Sequence, residues 1–344
     1  MKSRKNILSF LMIGLMLFTS CTNSQSNTSN NESVTKESST VEDTSKLTTY
    51  ETTTSTETST YELGYYFRYY TPQEVNILGG AETDALCEVV GYDLNGNEAK
   101  DIEELIIPDK DPNGVDVYCV RGFENRKNLK KVTINSPIYE IGDYAFEYCQ
   151  SLESVVFTSK NNFVTRIGNN AFLGTKIETI ELGEGLKEIG DNAFSYCSYL
   201  NSIQLPESLR KLGKECFSYT GLNEITFPKY VYELNQCFKN CTKLTYVYLP
   251  SNLVSVFDFD YCSNLEKVYI SDGIREIGGF FQTKITKVFI PKSIGYIPRS
   301  AFWPIDGYLN LYCEVESLPA SWDQDWQYHS KEHTFWGASR EDAE

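Results

Sequence analysis

The chain has 344 residues, 47 of them acidic and 31 basic, for a formal net charge of −16. A surface this acidic repels nucleic acid and anionic lipid headgroups, so no nucleic-acid partner is expected; the charge favours solubility and carries no information about fold. Only two histidines are present, His329 and His333, so a Ser–His or Cys–His nucleophile pair would have to recruit that one late segment.

Met1 to Asn6 carry Lys2, Arg4 and Lys5, and Ile7 to Phe18 form an apolar run broken only by Ser9 and Gly14. A membrane-spanning helix needs about 20 apolar residues, so this shorter run reads as a secretion signal. It ends in Leu17-Phe18-Thr19-Ser20-Cys21, which resembles the bacterial lipoprotein signal, where the cysteine is acylated and becomes the mature N-terminus. That family usually has Leu three places before the cysteine; here Phe18 stands there, with Leu17 one place further back. The resemblance implies lipidation at Cys21 and membrane lipid as the partner of the acylated cysteine. Removing residues 1–20 removes three positive charges and takes the formal charge from −16 to −19. No second apolar stretch is long enough to cross a bilayer, so the expected tether is at one end.

Residues 22–60 hold 22 Ser or Thr among 39, with no Phe, Trp or Cys and a single Leu. Such a segment buries too little apolar surface to offset its ordering entropy and reads as a disordered linker. As a flexible coil it spans roughly 35 Å, and fully stretched about 130 Å. Residues 61–107 read as an N-terminal cap. Leu86 to Tyr92, an Asn95-Gly96 turn and Glu104 to Ile107 suggest a hairpin, with strands from the aromatic stretch Tyr61 to Gly80 packed on it. Asp93-Leu-Asn95-Gly96-Asn97-Glu98 and Asp109-Lys-Asp111-Pro-Asn113-Gly114 have a calcium-loop flavour, but neither has the full twelve-residue ligand pattern, and turns explain them more simply.

Residues 108–304 repeat. Ile141-Gly-Asp-Tyr-Ala-Phe146-Glu-Tyr-Cys149 returns as Ile189-Gly-Asp-Asn-Ala-Phe194-Ser-Tyr-Cys197. Phe123, Phe146, Phe172, Phe194, Phe217, Phe238, Phe259, Phe280 and Phe302 are spaced by 23, 26, 22, 23, 21, 21, 21 and 22 residues. After each anchor comes a run such as Leu129-Lys-Lys-Val132-Thr-Ile134 or Leu200-Asn-Ser-Ile203-Gln-Leu205, whose alternation puts the fourth and sixth positions inward and the third and fifth outward. Pro206, Pro228, Pro250 and Pro291 then end the run, and the glycine of each Ile-Gly pair suits a turn of positive φ. One unit of about 22 residues cannot bury its own apolar side, but stacked copies share a core. Three units are abbreviated: Leu234 to Phe238 by one residue, Val256 to Phe259 and Ile277 to Phe280 by two, which predicts a tighter outer turn.

These residues resemble the BspA-type leucine-rich repeat, whose hallmark is Ile-Gly-x-x-Ala-Phe-x-x-Cys followed by Leu-x-x-Ile-x-Ile-Pro, and the resemblance covers roughly residues 101–337. It implies a repeat solenoid of mainly parallel β structure with short helical or 3-10 turns, about nine repeats of 21–26 residues. Residues 305–344 are then a C-terminal cap and tail, with Trp322, Trp326 and Trp336 covering the last rung.

Beyond Cys21, nine cysteines remain. Cys149, Cys197, Cys241 and Cys262 each lie three residues after an anchor, and Cys216 and Cys237 occupy the small slot before it. Placement by repeat phase signifies packing, and the odd total, with Cys87, Cys119 and Cys313 outside the pattern, points to mostly free thiols. His329-Ser-Lys-Glu332-His333 fits a zinc-peptidase string, but that chemistry needs both imidazoles on one helix face and a later third ligand, and only 11 residues follow. No metal, cofactor or catalytic residue is expected.

The outward columns carry the functional expectation. The fifth position reads Thr133, Val156, Glu181, Gln204, Thr226, Tyr248, Tyr269, Phe289, and the third Lys131, Ser154, Thr179, Ser202, Glu224, Tyr246, Lys267, Lys287. The first half is small and polar; the second turns aromatic and basic at once, which marks Tyr246, Tyr248, Lys267, Tyr269, Lys287 and Phe289 as a contact patch. The family resemblance implies a bacterial cell-surface protein engaged in adhesion or in binding a protein or glycan partner. A structural envelope scaffold is the alternative, and a metal-dependent hydrolase the least supported reading.

Overall fold

The computed structural model describes residues 47–51, 62–77, 86–92, 102–135, 138–158, 164–303, 309–326 and 333–343. The repeats coil into a parallel β-solenoid, and each rung presents an outward strand side, a second short strand side and a turn side. On the outward side Glu104–Ile107, Lys131–Ile134 and Ser154–Phe157 pair in parallel, as do Tyr246–Leu249 with Lys267–Ile270, and Lys287–Ile290 with Asn310–Cys313 and Thr334–Trp336. On the second side Asp116–Arg121, Glu140–Ile141, Arg166–Ile167, Glu188–Ile189 and Lys211–Leu212 follow one another, with Ser255–Phe257 and Glu276–Gly278 further along.

Between Ser154–Phe157 and Tyr246–Leu249 the outward side keeps its alternation without a regular ladder. Ile180, Ile203 and Ile225 are buried and Glu181, Gln204 and Thr226 exposed, yet only a single bridge, Ser154 to Thr179, joins this stretch. The strand expected at Leu200 to Leu205 is therefore absent as a ladder. Cross-strand side-chain pairs are the unit of sheet stabilisation, and Glu181, Gln204 and Thr226 make a poorer column than Tyr248 against Tyr269.

The anchors form the core. All nine phenylalanines are buried, and from Phe123 to Phe302 successive rings stack with centroids 5.2 to 5.9 Å apart. Backbone bonds join rungs on the turn side as well: Phe146 N–H donates to Ala171 O, Phe172 to Ala193 O, Phe194 to Cys216 O and Phe217 to Cys237 O.

The repeated glycine serves a different purpose from the one expected. Gly142, Gly168, Gly190 and Gly213 do not have positive φ; a Cβ on Gly190 would lie 2.7 Å from the amide nitrogen of Asn169, and one on Gly213 2.4 Å from that of Asp191. The glycine lets one rung lie against the next. Positive φ falls two residues later, at Tyr144, Asn170, Asn192 and Glu215.

The cysteine slot does more than fill space. The thiols of Cys149, Cys197, Cys241 and Cys262 donate to the carbonyls of Phe123, Phe172, Phe217 and Phe238 at 3.0–3.2 Å, each reaching back one rung. Where the corner after the anchor is one residue shorter, the slot holds Thr175, Thr220 or Thr283, all buried, and Thr220 and Thr283 bond to Phe217 O and Phe280 O.

In the abbreviated rungs the turn is tightened by side-chain substitution for backbone. Asp258 stands in the small slot before Phe259, is 1% exposed, and accepts the Cys237 N–H at 2.5 Å, a donor that elsewhere meets a main-chain carbonyl. Gly279 holds the matching place in the next rung with φ 71°, where any Cβ would strike the Phe257 carbonyl carbon at 2.4 Å.

The expected N-terminal hairpin does not form. Leu86–Val90 pairs parallel with Asp116–Arg121 and antiparallel with Glu62–Tyr69, whereas Glu104–Ile107 belongs to the outward sheet. The two strands are successive sides of a first rung, so the stack begins near Leu86 rather than at residue 108. Their alternation fits a rung as well as a hairpin; the Asn95-Gly96 turn lies outside the described residues. Glu88, 2% exposed, is held between Arg68 at 2.7 Å and Arg121 at 3.0 Å and accepts the Tyr70 hydroxyl, which locks the cap onto the first rung. Helix Pro72–Ile77 follows, with Thr71 and Glu74 forming a reciprocal capping box. Within the stretch expected to be linker, Leu47–Glu51 is a strand antiparallel to Glu62–Tyr69. Its Thr-Thr-Tyr sequence has strand propensity, and the free edge of Glu62–Tyr69 supplies the partner. Asp111 accepts the amides of Asn113 and Val115 and the Tyr69 hydroxyl, so its carboxylate is used in a turn rather than offered to a cation.

At the far end Trp322 is buried and donates to Ile294 O at 3.0 Å, and Trp326 packs against Phe302 and edge-on against Trp322. These indoles close the phenylalanine stack.

Candidate functional site

Register places the predicted patch in columns. Tyr246 pairs with Lys267 and Tyr248 with Tyr269 across neighbouring strands, and the two tyrosine rings stack at 5.0 Å. Tyr246 and Tyr248 are each 46% exposed, and Lys267 and Lys287 are exposed beside them. Lys287 and Phe289 lie on the next outward strand, in register with Asn310 and Tyr312, and Tyr312 stacks on Phe335 at 4.9 Å. With Leu309 and Leu311 buried, the aromatic column continues past Phe289 through Tyr312 to Phe335.

Phe289 is a correction: it is only 8% exposed. The segment after Thr334–Trp336 folds back over the outward face, and the Arg340 guanidinium sits 4.5 Å from the centroid of Phe289 and 4.4 Å from that of Tyr269. Sequence periodicity locates strand faces but carries no signal for a tail that returns across three rungs.

A second exposed aromatic surface escaped the sequence reading. Tyr148, Tyr196, Tyr219 and Tyr261 occupy the second position after the anchor phenylalanine, directly before the cysteine or threonine slot, all with positive φ and all exposed. Tyr196 and Tyr219 stack at 4.3 Å. Gly174 interrupts this column, and beside it a depression of about 400 Å³ is lined by Lys127, Gln150, Lys176, Tyr196 and Tyr199. The signal available was the recurrence of Tyr before Cys in three rungs, at Tyr148, Tyr196 and Tyr261.

His333 immediately precedes the strand Thr334–Trp336; His329 and Glu332 fall outside the described residues. Among the described residues no group of three or more His, Cys, Asp or Glu side chains is arranged to hold a metal ion, and no helix is long and apolar enough to cross a membrane. Residues 1–21, with Cys21, lie outside the described residues. The nine remaining cysteines are free and buried. Burial pushes the Cys149 and Cys241 thiols up to about 12 and Cys197 to about 11.

A stack of parallel rungs with a phenylalanine ladder and one outward strand side is a leucine-rich-repeat solenoid. The model of the BspA type leucine rich repeat region matches residues 120–237 and 233–306 in six copies, and the chain belongs to that family. Solved structures similar to it include a leucine-rich repeat protein from Bacteroides ovatus, 23% identical, covering 70% of this chain and 65% of that one with TM-score 0.48. The leucine rich repeat protein of T. pallidum is also 23% identical, covering 63% of this chain and 86% of its own, with TM-score 0.42. A leucine rich cell surface protein from Faecalibacterium prausnitzii is 19% identical over 84% of this chain and 98% of that one, with TM-score 0.40. The chain spans 65% of the length of the Bacteroides ovatus protein. No curated protein matches the chain.

Proposed function

We propose that this protein is a bacterial cell-surface leucine-rich-repeat protein, anchored through an acylated Cys21, that binds a protein or glycan partner on its outward strand face. The observation that carries the reading is exposed Tyr248 stacked on half-buried Tyr269, flanked by Tyr246, Lys267 and Lys287 on an otherwise acidic molecule. Tyrosine rings bury much area at small entropy cost and dominate many interfaces, and the solenoid holds them on rigid neighbouring strands. Phe289 contributes from beneath Arg340 rather than as an exposed contact.

The test is a pull-down of the detergent-solubilised protein against matrix and envelope fractions, followed by affinity measurement on whatever is retained. Tyr248→Ala with Tyr269→Ala is expected to weaken binding by at least about 2 kcal/mol, while Ser202→Ala with Gln204→Ala on the polar half changes little. Equal losses from both pairs, or none from the aromatic pair, would favour an envelope scaffold without a ligand on this face. Anchoring is tested separately: Cys21→Ser is expected to release the protein to the medium or leave it unprocessed. A Cys21→Ser protein that matures normally and stays with the membrane removes the lipid anchor from the proposal.

A further inference from the structure

The segment that covers Phe289 has the chemistry of a ligand. It turns at Gly337, with φ 66°, and is pinned to the last rungs by amide bonds from Gly337 to Val315 O and from Ala338 to Cys313 O. Ser339 and Asp342 bond to each other at the start of the short helix Arg340–Ala343, none of whose residues is buried. From this helix Arg340 reaches the sheet. Its guanidinium lies over both the Tyr269 and Phe289 rings and donates to Ile270 O at 3.1 Å. Two ring faces and a carbonyl acceptor suit a flat, delocalised cation with in-plane donors, and suit a compact ammonium less well. The surroundings add charge selectivity. The molecule as a whole is acidic, while Lys267 and Lys287 flank the rings. An arginine followed by acidic residues complements both, and Arg340-Glu341-Asp342 has that pattern.

Resting on the binding reading of the outward face, we propose that Tyr269, Phe289 and Ile270 O form a guanidinium seat for a protein partner. The partner presents an arginine followed by acidic residues on a short segment, and that arginine takes the place of Arg340. The seat is continuous with exposed Tyr246 and Tyr248, so an incoming segment has a surface to land on. The covering helix buries no side chain of its own, so what its release uncovers is the Tyr269 and Phe289 ring faces, which the incoming arginine covers in turn. While it stays in place, the tethered arginine competes at high effective concentration.

The experiment uses the full chain with Arg340→Ala and two synthetic peptides, Gly-Ala-Ser-Arg-Glu-Asp-Ala-Glu, copied from residues 337–344, and the same peptide with lysine for arginine. Titration is followed by NMR of the tyrosine rings, and an unchanged melting curve confirms folding. The arginine peptide is expected to bind Arg340→Ala at least tenfold more tightly than wild type, and at least tenfold more tightly than the lysine peptide. Arg340→Lys, which keeps the charge, is expected to bind the arginine peptide at an intermediate level. Loss of peptide binding when Phe289→Leu is added supports the seat. Equal binding of the two peptides, or equal binding by wild type and Arg340→Ala, overturns it. The two proposals fail separately: if Tyr248→Ala with Tyr269→Ala abolishes capture of a natural partner while the arginine peptide binds nowhere, the outward face stands and the seat falls. Peptide binding without any captured partner gives the converse.

Discussion

Replacing Phe194 by alanine is expected to destabilise the solenoid by about 3–5 kcal/mol, measured by urea unfolding. Phe194 is fully buried midway along the ladder, with the rings of Phe172 and Phe217 stacked on it at 5.3 and 5.4 Å. The cost of such a deletion depends on how far neighbours collapse into the cavity, and here they are held. The Phe172 amide is bonded to Ala193 O, that of Phe194 to Cys216 O and that of Phe217 to Cys237 O, so the rungs cannot close up without breaking backbone bonds. Because each rung contacts only its neighbours, the loss is also expected to uncouple the stack, appearing as a shallower or two-step transition. A single sharp transition shifted by under about 1 kcal/mol would mean that the ladder is not what couples the rungs.

The second large effect is a pH dependence centred on Asp258. Burial pushes its carboxyl up to about 7, against the downward pull of the Cys237 amide bonded to it, and its second oxygen finds no partner among the described residues. In the unfolded chain an aspartate titrates near 4, so between about pH 4 and pH 7 the folded state holds a proton that the unfolded state has released. Stability therefore falls as pH rises through this window, by up to about 4 kcal/mol, since each unit of difference is worth about 1.4 kcal/mol. Asp258→Asn retains an oxygen for the Cys237 amide and removes the titration. The expected result is a melting temperature that declines from pH 4.5 to 7.5 in wild type and a clearly smaller decline in the variant. Parallel profiles would place the proton elsewhere, with the raised carboxyls of Glu140 and Asp260 the next groups to test.

The repeat was readable because its signals are local and recur. Nine phenylalanines at a period of about 22 residues, an inward Ile or Val at the fourth strand position and cysteines in fixed phase all reported packing, and the structure keeps each where the period put it. What went astray depended on contacts distant in sequence. Leu86–Val90 and Glu104–Ile107 have the alternation of strands, but alternation does not say which strand lies alongside, and the chain placed them on different sides of a rung. The Ile-Gly glycine was assigned to its own turn, whereas the rung before it supplies the constraint. The patch was half readable: Tyr246 and Tyr248 stand where the alternation predicts, while Phe289 is covered by Arg340, 51 positions later in the chain.

The thiols that bond back to the phenylalanine carbonyls give the molecule a built-in set of reporters. A cysteine reacts with disulfides and alkylating agents as its thiolate, and burial, which pushes Cys149 and Cys241 up to about 12, Cys197 to about 11 and Cys262 well above the usual thiol range, leaves almost none of it at neutral pH. Chemical modification therefore has to wait for a rung to open. Since Cys149, Cys197, Cys241 and Cys262 sit in four different rungs, the order in which they acquire a label would map which parts of the coil breathe first.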